Sequence, residues 1–316
     1  MPPDDTRTAP IARRAVAVVF GAGAAFATSG PLARAARPAH PIVVAGGRVA
    51  LAAIALLIID RLAWRLARGA PSPPQSETGA ARMSARQVLG VAGAGLLLAA
   101  HFACFTWGID ATSLPAAISL ISLEPLSVVL WAWALHRLRP TRLEGLGVAT
   151  ATAGALVVAR GAGTGEHQIA GDLLVVAAVV LYGAYIAAAR GLREALPARR
   201  YAALVYGAAA IALGVLVPFL PPRPDTVVWP LPPHATLAIA ALALVPTLIG
   251  HTIVQTAART VPPSLVALVS PLETLGGLAI GAALMHARPA AAELAGAAVI
   301  VAGVIVAIRG ARQGGG

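Results

Sequence analysis

The chain has 316 residues, of which 58% are hydrophobic and only 12% charged, with a formal net charge of +11. A soluble domain carries about twice that charged fraction, so neither a soluble enzyme nor a separate soluble domain fits, and the mean hydropathy of +0.79 points the same way. All 24 basic residues are Arg, and they gather at the ends of apolar runs rather than on one basic face, which argues against a nucleic-acid partner.

A bilayer core of about 30 Å needs about 20 apolar residues per helix. Ten such spans are predicted, at 14–33, 41–62, 87–107, 113–135, 143–160, 171–190, 201–220, 236–257, 264–285 and 290–308. Arg13 and Arg14 before the first run resemble the start of a signal peptide, but the apolar run continues past signal length. Between the second and third spans, 69–81 carries Pro71, Pro73 and Pro74 and reads as a flexible loop. The proline-rich run 221–234 reads as a stiff, exposed loop, and Gly314, Gly315 and Gly316 as a frayed end. The single cysteine, Cys104, excludes an intramolecular disulfide and reads as a small packing residue. Abundant Ala, Gly, Pro and Arg without Lys is the bias of a GC-rich, bacterial genome.

The second half of the chain repeats the first. Residues 112–161 align without a gap on 261–310, at an offset of 149, with 15 of 50 positions identical. Common Ala, Leu and Val account for part of this. The informative matches are Glu124 with Glu273, Arg139 with Arg288, Pro140 with Pro289, Glu144 with Glu293, Gly147 with Gly296, Gly154 with Gly303, Arg160 with Arg309 and Gly161 with Gly310. Further upstream, Phe26–Arg34 overlays Tyr182–Arg190 at an offset of 156, and His101 overlays His251 at 150. The division falls into 1–161 and 162–316, five helices each. An odd number inverts the second copy, so the expected fold is an all-α integral membrane protein of ten transmembrane helices built as two inverted five-helix repeats.

Arginine placement sets the orientation. With the N-terminus inside, 18 arginines fall on the cytoplasmic side and five outside, with Arg48 within a span. Both termini are therefore expected in the cytoplasm, in the cytoplasmic (inner) membrane.

An ionised carboxylate at the bilayer centre costs about 2.5–3.5 kcal/mol on insertion scales. Glu124 and Glu273 fall near the middle of spans four and nine, beside Pro125 and Pro271, and each proline frees a carbonyl one turn back. They read as substrate- or proton-binding acids in a cavity, or as acids locked to a neighbouring helix. His101 and His251 either carry a coupling proton or each make one hydrogen bond across a helix interface. Inversion is expected to put them on opposite sides of the midplane, which argues against a metal site. Arg48 neutralises a glutamate, binds an anionic substrate group, or snorkels outward. Tyr182, Tyr185 and Gln255, with Thr28, Ser29, Trp107, Ser119, Ser122 and Thr252, make a plausible lining. No Walker A, H-E-x-x-H or G-x-S-x-G motif is present, so neither catalysis nor a cofactor is expected.

Several stretches resemble the EamA family of the drug/metabolite transporter superfamily. They are Ser119–Pro125, with its acid-proline pair, and Gly171-Asp172-Leu-Leu followed by Tyr182-Gly-Ala-Tyr185 and Arg190. Gly47–Ala53, Gly147 through Gly154 and Gly296 through Gly303 complete the set. The resemblance covers nearly the whole chain. It implies a ten-helix carrier that exports amino acids, other metabolites or toxic compounds, with proton exchange as the coupling. Where the family has a Gly-Glu pair closing spans four and nine, this chain has His136-Arg137 and Met285-His286. The expected function is a secondary transporter of small metabolites, amino acids or amphiphilic compounds. A nucleotide-sugar or phosphorylated-metabolite exchanger, which would need more cavity cations than Arg48, and a non-transporting scaffold or sensor are the alternatives. The expected partners are a small-molecule substrate and the lipid bilayer, and a homodimer is compatible with the pattern.

Overall fold

The computed structural model describes residues 17–67, 83–161, 168–192, 196–220, 223–284 and 290–313. The loop predicted at 69–81, the glycines at the C-terminus and the pair Met285-His286 lie outside them. Among the described residues the protein is all-helical. Nine stretches are long and apolar enough to cross a membrane, and they coincide with the second to tenth predicted spans. The described part of the first span is helical over 17–26 (α1) and Ser29–Ala35 (α2), with a turn between.

The remaining helices follow in order. They are α3 (Pro41–Ala67), α4 (Ala85–Ala111), α5 (Leu114–Ile121), α6 (Glu124–His136), α7 (Arg142–Gly161), α8 (Ile169–Gly191) and α9 (Ala198–Leu216). After them come α10 (Pro233–Leu242), α11 (Thr252–Ala258), α12 (Pro263–Ala267), α13 (Val269–Leu284) and α14 (Ala291–Gln313). Besides the break in the first span, three further predicted spans are interrupted rather than continuous. Span four breaks between α5 and α6, span nine between α12 and α13, and span eight passes from α10 to α11 through a wide π-helical stretch, Ala243–His251. Each of these three spans carries an internal proline, Pro125, Pro271 or Pro246, which lacks the backbone donor a continuous helix needs.

Helix starts follow ordinary capping chemistry. Ser84 and Gln87 form a reciprocal box at α4, and Thr141 with Glu144 does the same at α7. Glu293 accepts from the Ala290 amide at α14. The repeated acids Glu144 and Glu293 are thus helix-start residues, and Glu144 also accepts from Ser264 Oγ of α12 at 3.0 Å.

The repeated glycines form a seam. A Cβ at Gly147 or Gly303 would collide with the backbone of Ala307 or Ala151, and one at Gly154 or Gly296 with Ile300 or Val158. Because Ala151 and Val158 are the counterparts of Ile300 and Ala307, each α7-to-α14 contact has a reversed twin. That is the mark of a local two-fold relation between the copies. Small residues let the helix backbones approach closely where lipid supplies no hydrophobic drive.

His136-Arg137, at the end of α6, departs from the Gly-Glu of the family. Arg137 adopts a left-handed conformation, φ 56°, and its N–H donates to Trp133 O at 2.9 Å.

Two glycine substitutions test the seam. Gly154→Leu must displace backbone, so thermal unfolding in detergent should show a loss of about 1–3 kcal/mol, as for overpacked cores. Gly207→Ala meets nothing within 4 Å and should leave the midpoint within about 0.5 kcal/mol of wild type. Equal effects of the two would refute a packing role specific to the seam.

Candidate functional site

Four separate helices and two helix breaks deliver polar side chains to one place. Phe26 and Ser29 come from the break in the first span, His101, Phe102 and Phe105 from α4, and Glu124 from the first residue of α6. Tyr182 comes from the middle of α8, His251 from the end of the π-helical stretch and Glu273 from α13. These nine residues line one cavity. Its volume is about 20 Å³, room for about one water.

Equivalent residues of the two repeats face each other across this cavity. The rings of His101 and His251 are 6.0 Å apart, and those of Phe26 and Tyr182 are 6.4 Å apart. Ser270 Oγ donates to the carbonyl of its own counterpart, Ile121, at 3.1 Å. A residue meets its counterpart only near the axis that relates them, so the local two-fold axis passes through the cavity. The two histidines, expected on opposite sides of the midplane, approach each other closely across this cavity. Even so, no group of three or more metal-ligating side chains occurs among the described residues.

The prolines explain how the polar groups are arranged. Pro125 cannot donate to the carbonyl four residues back, Ile121, and that is the carbonyl Ser270 takes. Pro246 likewise leaves Leu242 O without its helical donor. Thr247 Oγ1 donates to Leu242 O at 2.7 Å and accepts from Arg48 Nε at 2.9 Å. Arg48 is fully buried, its guanidinium stacks 4.0 Å from the centre of the Phe102 ring, and Phe102 is itself a wall of the cavity. No carboxylate among the described residues comes within 4.0 Å of it, and its two terminal nitrogens have no hydrogen-bond partner there. Arg48 does not snorkel. It stands one ring behind the cavity as a buried cation with no close ion pair among the described residues.

The remaining expected residues take up different places. The two histidines are not alike: His101 Nδ1 lies 2.9 Å from Ala178 O across a helix interface, whereas His251 Nδ1 has no hydrogen-bond partner among the described residues. Tyr185 and Gln255 do not line the cavity. They are hydrogen-bonded to each other, and Tyr185 packs 6.1 Å from His251, so they support that ring from behind. Thr252 bonds Tyr206 at 3.1 Å. Trp107 lies toward one end of the bundle, against His40 and Arg223, and the Ser122 and Thr28 hydroxyls donate to carbonyls of their own helices. Phe26, Phe102, Phe105 and Thr247 were not among the expected site residues. Pro246 in the middle of an apolar run was the signal for Thr247, since a freed carbonyl at mid-depth needs a nearby hydroxyl.

A duplicated helical membrane protein, with interrupted helices meeting at a polar site on its internal axis, has the build of a carrier. Comparison with known proteins narrows this. The model of the EamA-like transporter family matches twice, over residues 13–160 and 169–309. The chain belongs to the EamA-like transporter family, within the drug/metabolite transporter superfamily. One solved crystal structure superposes with a TM-score of 0.71, covering 93% of this chain and 96% of its own at 19% identity, a likeness that speaks for the fold. No curated protein matches the chain.

Thr247→Val tests the relay behind the cavity. Valine keeps the shape and the backbone bond of the π-helical turn to Leu242 O, but leaves Arg48 Nε without its partner, and a buried group left so costs about 1–3 kcal/mol. Thermal unfolding should fall accordingly, while Thr256→Val, at an exposed hydroxyl bonded only within its own helix, should change little. Equal midpoints for the two would dismiss the relay.

Proposed function

We propose that the protein is a secondary transporter that moves a small metabolite, amino acid or amphiphilic compound out of the cell by alternating access. The two halves, 1–161 and 162–316, act as inverted five-helix repeats, with both termini cytoplasmic in the inner membrane. The observation that carries this reading is the meeting of equivalent residues, His101 with His251 and Phe26 with Tyr182, at one cavity lined also by Glu124 and Glu273. In an inverted repeat the relating axis lies in the membrane plane, so a site on it is at mid-depth and equally far from both faces. The 18-to-five arginine asymmetry supports the orientation.

Charge supplies the coupling. Two carboxylates and one guanidinium around a small buried cavity leave a net negative charge, which is costly in a low dielectric. A proton on Glu124 or Glu273, or a cationic group of the substrate, removes it. Exchange of one for the other at each turnover links export to proton entry. Arg48, with two free nitrogens, is placed to receive an anionic group of the same substrate once Phe102 moves aside. A single such cation suits a small substrate with one acidic group better than a nucleotide sugar or a diphosphate.

Flux of candidate substrates into and out of proteoliposomes, with and without an imposed pH gradient, checks the reading. Flux should rise with the gradient and fall at least about tenfold in Glu273→Gln, the loss of one essential charge. Flux indifferent to the gradient would remove the coupling. No flux of any compound, with a partner protein recovered by cross-linking, would instead favour a scaffold or sensor.

A further inference from the structure

One pair of arginines outside the cavity repeats the same contact at both ends of the molecule. Arg34, at the end of α2, donates through Nη2 to Ile109 O at 3.2 Å and Thr112 O at 2.7 Å. Arg190, at the end of α8, donates through Nε to Ala258 O at 3.0 Å and through Nη2 to Val261 O at 2.6 Å. All three correspondences follow the repeat: Arg34 with Arg190 at 156, and Ile109 with Ala258 and Thr112 with Val261 at 149. Sequence alone makes these arginines two more basic residues near span ends.

Both pairs of carbonyls belong to the C-terminal turn of one helix and the junction that leads into an interrupted one. Ile109 is in the last turn of α4 and Thr112 lies between α4 and α5, while Ala258 ends α11 and Val261 lies between α11 and α12. Carbonyls at a helix C-terminus have no helical donor and attract a cation. Each arginine thus ties the first helix of its repeat to the hinge before the helix pair that carries the glutamate.

The two ties stand at opposite ends of the bundle. Thr112 Oγ1 donates to Asp172 Oδ1 at 2.8 Å, which places the Arg34 tie beside the start of α8. Arg190 closes the end of the same helix, 18 residues further on, or about 27 Å. Tyr182, in the cavity wall, lies between them. Both ties are made in this structure, and the cavity between them is only about 20 Å³.

We propose that Arg34 and Arg190 are the two gate clasps of the transport cycle, each holding its own end of the bundle shut and each released only when the central site opens to that end. The proposal rests on the alternating-access reading above. Bonds to main-chain carbonyls suit the task, because water can take the place of either partner when the end opens. Matching contacts on the two sides also keep the inward- and outward-open states close in free energy, as a cycling carrier requires.

The test reads accessibility, not flux. A cysteine at the cavity wall, Ser29→Cys, is placed in the Cys104→Ala protein in vesicles of known orientation, and its reaction with a membrane-impermeant maleimide is timed from each side. Arg34→Gln should speed labelling from the Arg34 side about tenfold, the shift expected on losing a charge-assisted hydrogen bond. Arg190→Gln should do so from the opposite side. Arg34→Lys and Arg190→Lys keep the charge but not the fork, and should give smaller changes with the same sidedness. They decide the matter if the Gln variants do not fold. Labelling that rises from the same side in both variants would overturn the proposal. So would unchanged labelling with only a lower unfolding midpoint, which is what simple helix capping predicts. Side-selective labelling in a protein that moves no substrate would retain the clasps and refute the transport reading instead.

Discussion

The constraint on which the structure depends is the backbone hydrogen bond in a medium without water. Every N–H and C=O at membrane depth needs a partner within the protein, and prolines in three spans remove donors where they are most needed. The consequences can be followed bond by bond. Pro125 releases Ile121 O to Ser270, and Pro246 releases Leu242 O to Thr247, whose oxygen then holds Arg48. Polar side chains are drawn to the middle of the bundle first as substitutes for missing amides. The interruptions that call for them also aim Glu124 and His251 into the cavity. Site and irregular backbone are therefore a single feature.

The repeat gives this feature its symmetry and the loops take it away again. At the centre, counterparts meet counterparts. At the two ends the arginine ties are alike but their surroundings are not. Asp110 pairs with Arg37 at 2.7 Å and with Arg223 at 3.6 Å, while its counterpart, Arg259, bonds Leu196 O and stacks toward Tyr201. The 223–232 segment is also anchored, through Val227 and residues 38–40. The rim of each end is thus adapted to its own surroundings, whereas the inner machinery is common to both.

Much of the fold was legible in the sequence because hydropathy reports burial in lipid directly, and nine predicted spans reappear within a few residues of their predicted ends. The repeat pointed to Glu124, Glu273, His101 and His251, and all four line the cavity. Three things were not legible. Apolar periodicity cannot show that a span changes its helical pitch, so the wide turn at Ala243–His251 was missed although Pro246 marks it. The distance between the histidines depends on where the axis falls, which spacing along the chain does not give. The depth of Arg48 depends on the shape of its neighbours, Phe102 and Thr247. Two repeated features had bland answers: Glu144 and Glu293 start helices, and the repeated glycines make the seam.

That seam has a mechanical consequence. None of its residues lines the cavity, and it joins α7 to α14 through glycines whose backbones nearly touch. A contact this tight resists sliding and separation, yet along one line it leaves small rotations open. On the alternating-access reading proposed above, the seam would serve as the fulcrum between the two halves, with the cavity to one side of it. A tilt of a few degrees at such a pivot, carried along helices about 30 Å long, becomes a displacement of a few ångströms at the bundle ends. Opening on one side would then be geometrically tied to closing on the other, with no signal passed between them.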